Sequence, residues 1–401
     1  MSVTAPDIIA QEYDFSGGLN TKASKLSHEE GDLSDIYNWE FQPAAGLKVR
    51  GGKKKLNTAA TANFDTFPVY GLYPFYTSSS AGQLLAVANN KLWKYNSTNN
   101  NFDNITITGG DFTGSQRKFS FCQFTDTAGL EWCVICNGRD SPIYYDGTTA
   151  TRLSSVGSPH ADWAGTNNPG QIVAHRSRLY AALLPTNPSK LYASNIGSIT
   201  NMRDWTTTAA TAQIEFQSHE SSISALQPFY TTLIIFFKDS IRRLDGTSPD
   251  DYSTLPPLVT SVIGCENFKT IQMVGSDIIF ASRYGVHSLQ GVFQFGDITS
   301  SYLSEKIDSQ NSGSLAYATW ATVNKGAGRL DIDACSVYYP HRNQYWLALE
   351  SGGNTTNDFI FIGDVRVRQP KVAWTIFNYT PAAMCMVDPG RITLASGIIG
   401  S

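Results

Sequence analysis

One pattern recurs along this chain at intervals of about 50 residues: two short segments of alternating apolar residues joined by a turn. Its clearest copy is "QLLAVANNKLWKYN", in which the apolar residues Leu85 and Val87 lead up to the pair Asn89-Asn90. Because Asn tolerates the positive φ of a two-residue type I′ turn, this segment predicts a tight β-hairpin. Five further segments have the same pattern: "EWCVICNGRDSPIYYDG", "SRLYAALLPTNPSKLYASN", "TLIIFFKDSIRRLDG", "DIIFASRYGVHSLQG" and "CSVYYPHRNQYWLALE".

The spacing of these six hairpins restricts the fold more than any other feature of the sequence. Their turns lie near residues 89, 138, 186, 238, 283 and 342, and one four-stranded blade of a β-propeller takes about 40 to 50 residues. A two-sheet sandwich is the alternative, although its turns come every ~8 to 12 residues without a longer period. Radial repetition also leaves only short strand edges exposed. We predict an all-β protein, a β-propeller of six or seven four-stranded antiparallel blades.

The end of the sequence bears on how such a ring closes. The segment "RITLASGIIGS" resembles a seventh hairpin that stops midway. We expect a strand over residues 69–75, on the N-terminal side, to complete this last blade. Two alternatives stay open: the natural chain continues beyond Ser401, or the ring has six blades. The predicted division is a lead-in over residues 1–58 and a propeller over residues 59–401.

The composition favours a subunit of a larger assembly. Charged residues make up 16% of the chain, against about 25% in an average soluble protein, so we expect other subunits to cover part of the surface. A net charge of −4 is too small to draw the whole molecule to a polyanion. The six cysteines are too few for a disulfide scaffold. Without a secretory pattern or a long apolar run, we expect cytosolic synthesis and no stable membrane association.

No motif in the sequence indicates catalysis or a resident cofactor. Cys133 and Cys136 form a CxxC, but strand alternation places them on opposite faces, which favours buried structural thiols. Asp331 and Asp333 share one face of a strand and could bind a cation, although no further acidic ligands cluster with them. The HExxH and GxSxG motifs are absent from the sequence. We expect no enzymatic activity, no cofactor and no metal.

The first 55 residues differ from the repeats that follow. Phe15 and Leu19 are apolar anchors on either side of Gly17-Gly18, a pair that permits backbone conformations closed to other residues. Ser27, followed by Glu29 and another acid, predicts the start of a helix. A turn and a strand then lead to a basic cluster. We expect this segment to contact a neighbouring subunit or ring.

The basic cluster is the segment "KVRGGKKK", which holds Lys48, Arg50, Lys53, Lys54 and Lys55 around two glycines. It could contact nucleic-acid phosphates or an acidic partner. An exposed turn without a partner explains it equally well.

The order of features in this N-terminal part is similar to the beginnings of many virion proteins of tailed bacteriophages, of the tail hub, nozzle or stabilisation type. The similarity lies in "FSGGLNTKAS", an acidic stretch, "YNWEF" and "GLKVRGG". The later phrases "ICNGRDSPIYYDG", "HRSRLYAA", "LIIFFKDSIRRLDG" and "ASRYGVHSL" look like the blades of the same proteins, so the resemblance extends over nearly the whole chain. The corresponding N-terminal residues are Gly17, Gly18, Leu19, Asn20, Asn38, Gly46, Arg50 and Gly52.

The resemblance implies a structural subunit of the phage tail, present as a homo-hexamer below the portal and adaptor, that forms part of the DNA ejection channel. It implies three partners: the adaptor or head-tail connector protein, a tail fibre or tail tip protein, and DNA in transient contact with the lumen. The virion is then its location. The residues expected at the subunit or ring interface are Phe15, Gly17, Gly18, Leu19, Asn20, Lys48, Arg50, Lys53, Lys54 and Lys55.

Two other classes of propeller stay open. A glycan-binding or glycan-cleaving propeller would bind a saccharide at its central mouth, where aromatic rings and carboxylates converge. An intracellular protein-binding propeller would have a host-type partner and no association with particles.

Overall fold

The structure is a computed structural model that describes residues 14–21, 25–42, 46–57, 64–78, 81–156, 160, 162–197, 213–216, 222–246, 256–290, 302–307, 334–350, 356–366 and 372–392. Over these residues the chain forms six small, mainly antiparallel sheets arranged in a ring, which is a six-bladed β-propeller. A lead-in of short strands precedes the first blade. The lead-in strands are β1 (Gly18–Leu19), β2 (Asp32–Leu33), β3 (Trp39–Phe41) and β4 (Leu47–Val49).

The first three blades follow one another along the chain. The first blade contains β5 (Val69–Phe75), β6 (Gln83–Ala88), β7 (Lys91–Asn96) and β8 (Asn101–Ile105). The second contains β9 (Ile107–Thr108), β10 (Ser120–Thr125), β11 (Glu131–Cys136), β12 (Ile143–Tyr145) and β13 (Ala150–Arg152), with β9 parallel to β13 as a fifth strand. The third contains β14 (Gln171–His175), β15 (Arg178–Ala182), β16 (Lys190–Ala193) and β17 (Gln213–Glu215).

The last three blades complete the ring. The fourth contains β18 (Ile223–Phe229), β19 (Thr232–Phe237), β20 (Ile241–Leu244) and β21 (Leu258–Thr260). The fifth contains β22 (Gln272–Val274), β23 (Asp277–Ser282) and β24 (Gly285–Ser288), and Tyr302 forms an antiparallel bridge to His287 at its edge. The sixth contains β25 (Cys335–Tyr339), β26 (Gln344–Leu349), β27 (Phe359–Asp364) and β28 (Ala373–Phe377). Short helical turns occur at Lys25–Ser27, Leu153–Val156, Phe268–Thr270 and Pro340–Arg342.

All six predicted hairpins are present. Asn89 and Asn90 have φ values of 49° and 59°, as the type I′ turn requires. Five of the hairpins join the second and third strands of a blade, whereas the hairpin of residues 335–350 joins the first and second strands of the sixth blade. An earlier position in the blade would shorten the interval, so the longer interval before the last turn comes from the length of chain between β24 and β25.

The predicted closure of the ring is wrong in one respect. The strand over Val69–Phe75 is the first strand of the first blade, where it pairs with β6, and does not complete a seventh blade. Each blade is therefore built from consecutive chain, and residues that follow the sixth blade, among them Val387 and Ile392, pack against the first blade. Most of the "RITLASGIIGS" segment, residues 393–401, lies outside the described residues, as do Asp331 and Asp333.

The hydrophobic core is divided among the spaces between neighbouring blades. Cys133 packs between the first and second blades with Ile135 and Tyr145, whereas Cys136 packs between the second and third with Leu179. The prediction that the two thiols lie on opposite faces of one strand is confirmed. Burial raises the pKa of the Cys133 thiol well above its ordinary value, as expected for a structural thiol.

Candidate binding pocket beside the lead-in

The lead-in extends the outer edge of the sixth blade. Tyr37 forms a parallel bridge to Ile376, and the Asn38 amide donates to the Ile376 carbonyl at 2.8 Å. The Thr375 hydroxyl donates to the carbonyl of Trp39 at 2.9 Å. The lead-in is thereby hydrogen-bonded to a blade more than 300 residues away in sequence.

The Gly-Gly pair permits this docking because a side chain has no room there. A Cβ added to Gly18 would lie 2.7 Å from the Trp374 nitrogen, and Gly18 has a φ of +70°. A Cβ added to Gly17 would lie 2.5 Å from the Gly31 carbonyl carbon. Leu19, which follows the pair, is 1% exposed and packs in the core between the fifth and sixth blades.

The buried carboxylate of Asp32 holds the end of the lead-in segment that follows Leu19. The Asn20 side-chain amide donates to the Asp32 carboxylate at 2.7 Å, and the Lys306 ammonium donates to the same carboxylate and to the carbonyl of Gly17. Burial raises the pKa of Asp32, but the hydrogen bonds from Lys306 and Asn20 outweigh it and lower the pKa below its ordinary value. The lead-in is therefore tied to the fifth blade as well.

Asn38 and Arg50, two of the N-terminal residues that resemble the tail proteins, contact each other directly. Asn38 has a φ of 64°, and its side-chain oxygen accepts a hydrogen bond from Nε of Arg50 at 2.7 Å. The same oxygen accepts from the amide of Asn378 at 3.2 Å. The Arg50 amide donates to the Asn38 carbonyl at 3.1 Å. This arrangement holds the Arg50 guanidinium against the end of the sixth blade.

The Arg50 guanidinium forms one side of a pocket. Its central carbon lies 4.1 Å from the centroid of the Tyr379 ring, and its Nη1 donates to the Tyr379 hydroxyl. The Lys53 ammonium lies 5.2 Å from the same centroid. The pocket has a volume of about 490 Å³ and is lined by Glu40, Arg50, Gly51, Gly52, Lys53, Val337, Tyr339, His341, Arg342, Trp346, Phe377, Tyr379, Cys385, Met386, Val387 and Pro389.

An ion pair between Arg342 and Glu40 forms another part of the pocket lining. The Arg342 guanidinium donates to the Glu40 carboxylate, whose side chain is 8% exposed. Because Arg342 neutralises Glu40, the remaining cations at the pocket are Arg50 and Lys53, with the titratable side chain of His341 beside them. The pocket is therefore positively charged within a chain whose net charge is −4.

The structure divides the predicted interface residues into two groups. Gly17, Gly18, Leu19 and Asn20 pack within this chain, with Phe15 half-buried next to them. That these residues also contact another subunit stays a prediction.

Of the basic cluster, Arg50 and Lys53 line the pocket and Lys48, Lys54 and Lys55 do not. Lys48 is exposed on β4. Lys55 pairs with Asp65 at 3.7 Å. The five basic residues of the cluster therefore do not all line one site.

One local prediction for the lead-in is wrong. Instead of a helix that starts at Ser27, the chain makes a single helical turn over Lys25–Ser27 and then enters β2. The backbone amide of Glu29 donates to the Asp32 carboxylate at 3.2 Å. The acidic stretch therefore forms a turn around the buried Asp32.

Several pocket residues had no signal in the sequence. Tyr379 and Trp346 are aromatic residues among many, and Arg342 lies in a hairpin turn that gives no indication of its ion pair with Glu40. Only the cluster of basic residues around Arg50 indicates this site in the sequence.

A second cavity lies at the centre of the ring. Its volume is about 250 Å³, and it is lined by residues from the first strand of every blade. Lys269 is one of its lining residues, and the ammonium of Lys269 donates to the carbonyls of Arg117 at 3.4 Å and Ala382 at 3.3 Å. Its lining among the described residues contains no Asp or Glu, so the paired carboxylates of a glycosidase are not found there.

The described residues contain no group of three or more His, Cys, Asp or Glu side chains that could hold a metal ion. In the same part of the chain, no helix has the length and apolar character needed to cross a membrane.

Comparison with known proteins adds little beyond the fold. No protein-family model matches the chain, and no curated protein matches it. The extracellular domain of a putative hybrid two-component system from B. thetaiotaomicron aligns with a TM-score of 0.43 and 12% identity, over 79% of this chain and 37% of that one. The extracellular domain of a putative one-component system from the same organism gives 0.41 and 12%, over 75% and 33%. A ctPRC2 structure gives 0.41 and 9%, over 75% and 67%.

This chain thus spans about a third of the length of the first two similar structures. At these TM-scores and identities the similarities carry no argument about function.

Proposed function

We propose that this protein is a structural subunit of a tailed-bacteriophage tail, a hub or nozzle component that binds the adaptor or head-tail connector above it and a tail fibre or tip protein below it. In this proposal six copies surround the axis along which DNA leaves the particle. The protein has no catalytic role and is assembled into virions in the bacterial cytoplasm.

The observation that carries the proposal is the structural role of the residues that resemble the tail proteins. Gly18 allows the close approach to the sixth blade, and Asn38 and Arg50 hydrogen-bond each other at its end. Short motifs shared with a family are stronger support when each residue is required by the backbone conformation or by a buried contact. The motif residues here form one connection between lead-in and propeller.

The central cavity of each propeller is not the proposed DNA path. A cavity of about 250 Å³ lined by residues of every blade cannot admit a duplex, whose major groove alone is about 12 Å wide. DNA would instead pass along the axis of the ring of subunits.

Quantitative mass spectrometry of density-banded particles, scaled to the portal protein, tests the proposal. A copy number near half that of a twelve-fold portal supports a six-fold tail component. Absence from the particles would remove the virion role and leave glycan-binding propellers as the next class to test.

A further inference from the structure

The pocket beside the lead-in combines apolar side chains with two cations, Arg50 and Lys53, that form no ion pair with any other described residue. We propose that it binds an acidic peptide segment that carries one apolar anchor residue. This inference goes beyond the tail proposal and does not depend on it, because any partner protein could present such a segment.

The Arg50 guanidinium is held ready for a carboxylate. Nε donates to Asn38 and Nη1 to Tyr379, whereas Nη2 makes no hydrogen bond with the part of the chain that the structure describes. A guanidinium that is already fixed loses little conformational entropy when a carboxylate binds, and a charge-assisted hydrogen bond is stronger than a neutral one. Lys53 is exposed beside it and adds a second positive charge.

The only described carboxylate in the pocket does not offset these charges. Glu40 is 8% exposed as a side chain and is paired with Arg342. An entering carboxylate therefore meets Arg50 and Lys53 without competition from Glu40. Complementarity of charge then favours an acidic partner and disfavours a basic one.

Much of the remaining lining is apolar. Val337, Trp346, Phe377 and Val387 contribute side chains to the pocket. A volume of about 490 Å³ lies within the range of about 300 to 1,000 Å³ for ligand sites. It is large enough for one bulky apolar side chain, and such a buried anchor supplies most of the binding energy at many interfaces.

The adjacent sheet edge favours a peptide over a small molecule. Among the described strands, β4 pairs only with β3, so its outer edge keeps backbone groups available to an added strand. Val49 on this strand is 58% exposed, and Arg50 follows it directly in the sequence. A peptide that extends along β4 would therefore bring its acidic residues to Arg50 and Lys53.

Single-stranded nucleic acid fits the pocket less well. Base binding of this kind uses aromatic faces that are open for stacking, but Arg50 and Lys53 lie over Tyr379. Trp346 is packed edge-on against Phe377 at 5.5 Å between ring centroids.

Fluorescence anisotropy of the full-length chain with labelled probes tests the proposal. The principal probe is a short Asp/Glu-rich peptide with a central leucine. Two matched peptides replace the leucine by serine or all acidic residues by lysine, and a single-stranded oligothymidine tests the nucleic-acid alternative. The protein variants are Lys53→Glu, in an exposed loop, and Lys94→Glu, which makes the same charge change on the first blade.

We expect saturable binding of the acidic leucine peptide that weakens by about tenfold or more in Lys53→Glu and is unchanged in Lys94→Glu. The serine peptide should bind at least about tenfold more weakly, and the lysine peptide should not bind. Three results would each overturn the proposal: no saturable binding of the acidic peptide, equal affinity for both variants, or tighter binding of oligothymidine that depends on Lys53.

Discussion

Gly18 is a residue at which the docking of the lead-in on the sixth blade is sensitive to a single added atom. A Cβ there would lie 2.7 Å from the Trp374 nitrogen and 2.9 Å from Cα of Ala373, and backbone atoms cannot move aside as a flexible side chain can. The same φ range occurs at Gly129, where nothing lies within 4 Å of an added Cβ. Comparing alanine substitutions at Gly18 and Gly129 therefore separates the cost of backbone strain from the cost of steric overlap.

We predict that Gly18→Ala lowers the free energy of unfolding more than Gly129→Ala does. Both variants carry a left-handed alanine, which costs about 1 to 2 kcal/mol, and Gly18→Ala adds overpacking of about 1 to 3 kcal/mol. Urea denaturation of both variants measures the difference. Equal destabilisation would mean that the segment is not packed against the sixth blade.

His287 has an unusual environment for a histidine. It is 0% exposed, stacks on Tyr302 with 5.1 Å between ring centroids, and neither ring nitrogen has a hydrogen-bond partner among the described residues. Phe280 lies on another side at 5.9 Å. Burial lowers the pKa of His287 to about 3, so the folded protein keeps this side chain neutral.

This burial predicts a loss of stability on acidification. Between about pH 6.5 and pH 3 the unfolded chain binds a proton at this position and the folded chain does not, so stability falls as the pH falls. From pH 7 to pH 5 the contribution of His287 amounts to about 2 kcal/mol. His287→Phe should reduce the pH dependence of the unfolding free energy by that amount.

His341 is exposed, so His341→Gln serves as the control for removing a histidine outside the core. Burial also lowers the pKa of His160 and of His175, so some pH dependence should persist in both variants. An identical slope for His287→Phe and the unmodified protein would contradict the buried position of this ring.

At the scale of elements, hydrogen bonds from glutamine side chains link neighbouring blades. The Gln171 side chain donates to the Leu226 carbonyl at 2.9 Å and accepts from the Leu226 amide at 2.7 Å. This pair of bonds connects the first strands of the third and fourth blades. Gln227 instead donates to Pro228, its own neighbour.

We predict that Gln171→Leu destabilises the propeller by about 2 kcal/mol, because it leaves both backbone groups of the buried Leu226 without these partners. Gln227→Leu should change the unfolding free energy by less than about 0.5 kcal/mol. Chemical denaturation of the two variants compares them directly. The contact between the blades would be in doubt if both glutamines proved equally dispensable.

The lead-in packs into the core of the propeller and is also a candidate interface. Deleting residues 1–30 removes Leu19 from the core and takes Asn20 and Gly17 away from the Asp32–Lys306 pair. We expect a loss of about 3 kcal/mol or more in unfolding free energy. Deleting residues 1–13 alone removes none of these contacts and serves as the control. Equal stability of the two deletions would show that the lead-in is only a tether.

At the scale of the whole molecule, the sequence predicts what local interactions determine. The Asn89-Asn90 turn and the alternation on either side of it depend on neighbouring residues, so the hairpins and the propeller could be predicted. The number of blades depends on whether Val69–Phe75 pairs with β6, as it does, or with the last hairpin of the chain, and the alternation within the strand does not report that. The contact of Gly18 with Trp374 joins residues far apart in sequence, so it cannot be predicted from local patterns, although the glycine pair itself is visible in the sequence.

The candidate site was predictable only in part, on the same physical grounds. Arg50 and Lys53 are close in sequence and form a visible charge cluster. Tyr379 and Trp346 join them only because the lead-in is hydrogen-bonded to the edge of the sixth blade. A pocket assembled from segments near opposite ends of the sequence leaves no periodic signal in either of them.

We propose that this six-bladed propeller, with its lead-in docked on the sixth blade, is a repeated subunit of a phage tail. Cryo-electron microscopy of density-banded particles, reconstructed below the portal, tests this proposal. We expect six copies of a six-bladed ring around the tail axis, each with the lead-in at the outer edge of one blade. A tail map of side-chain quality without such a ring would overturn the proposal.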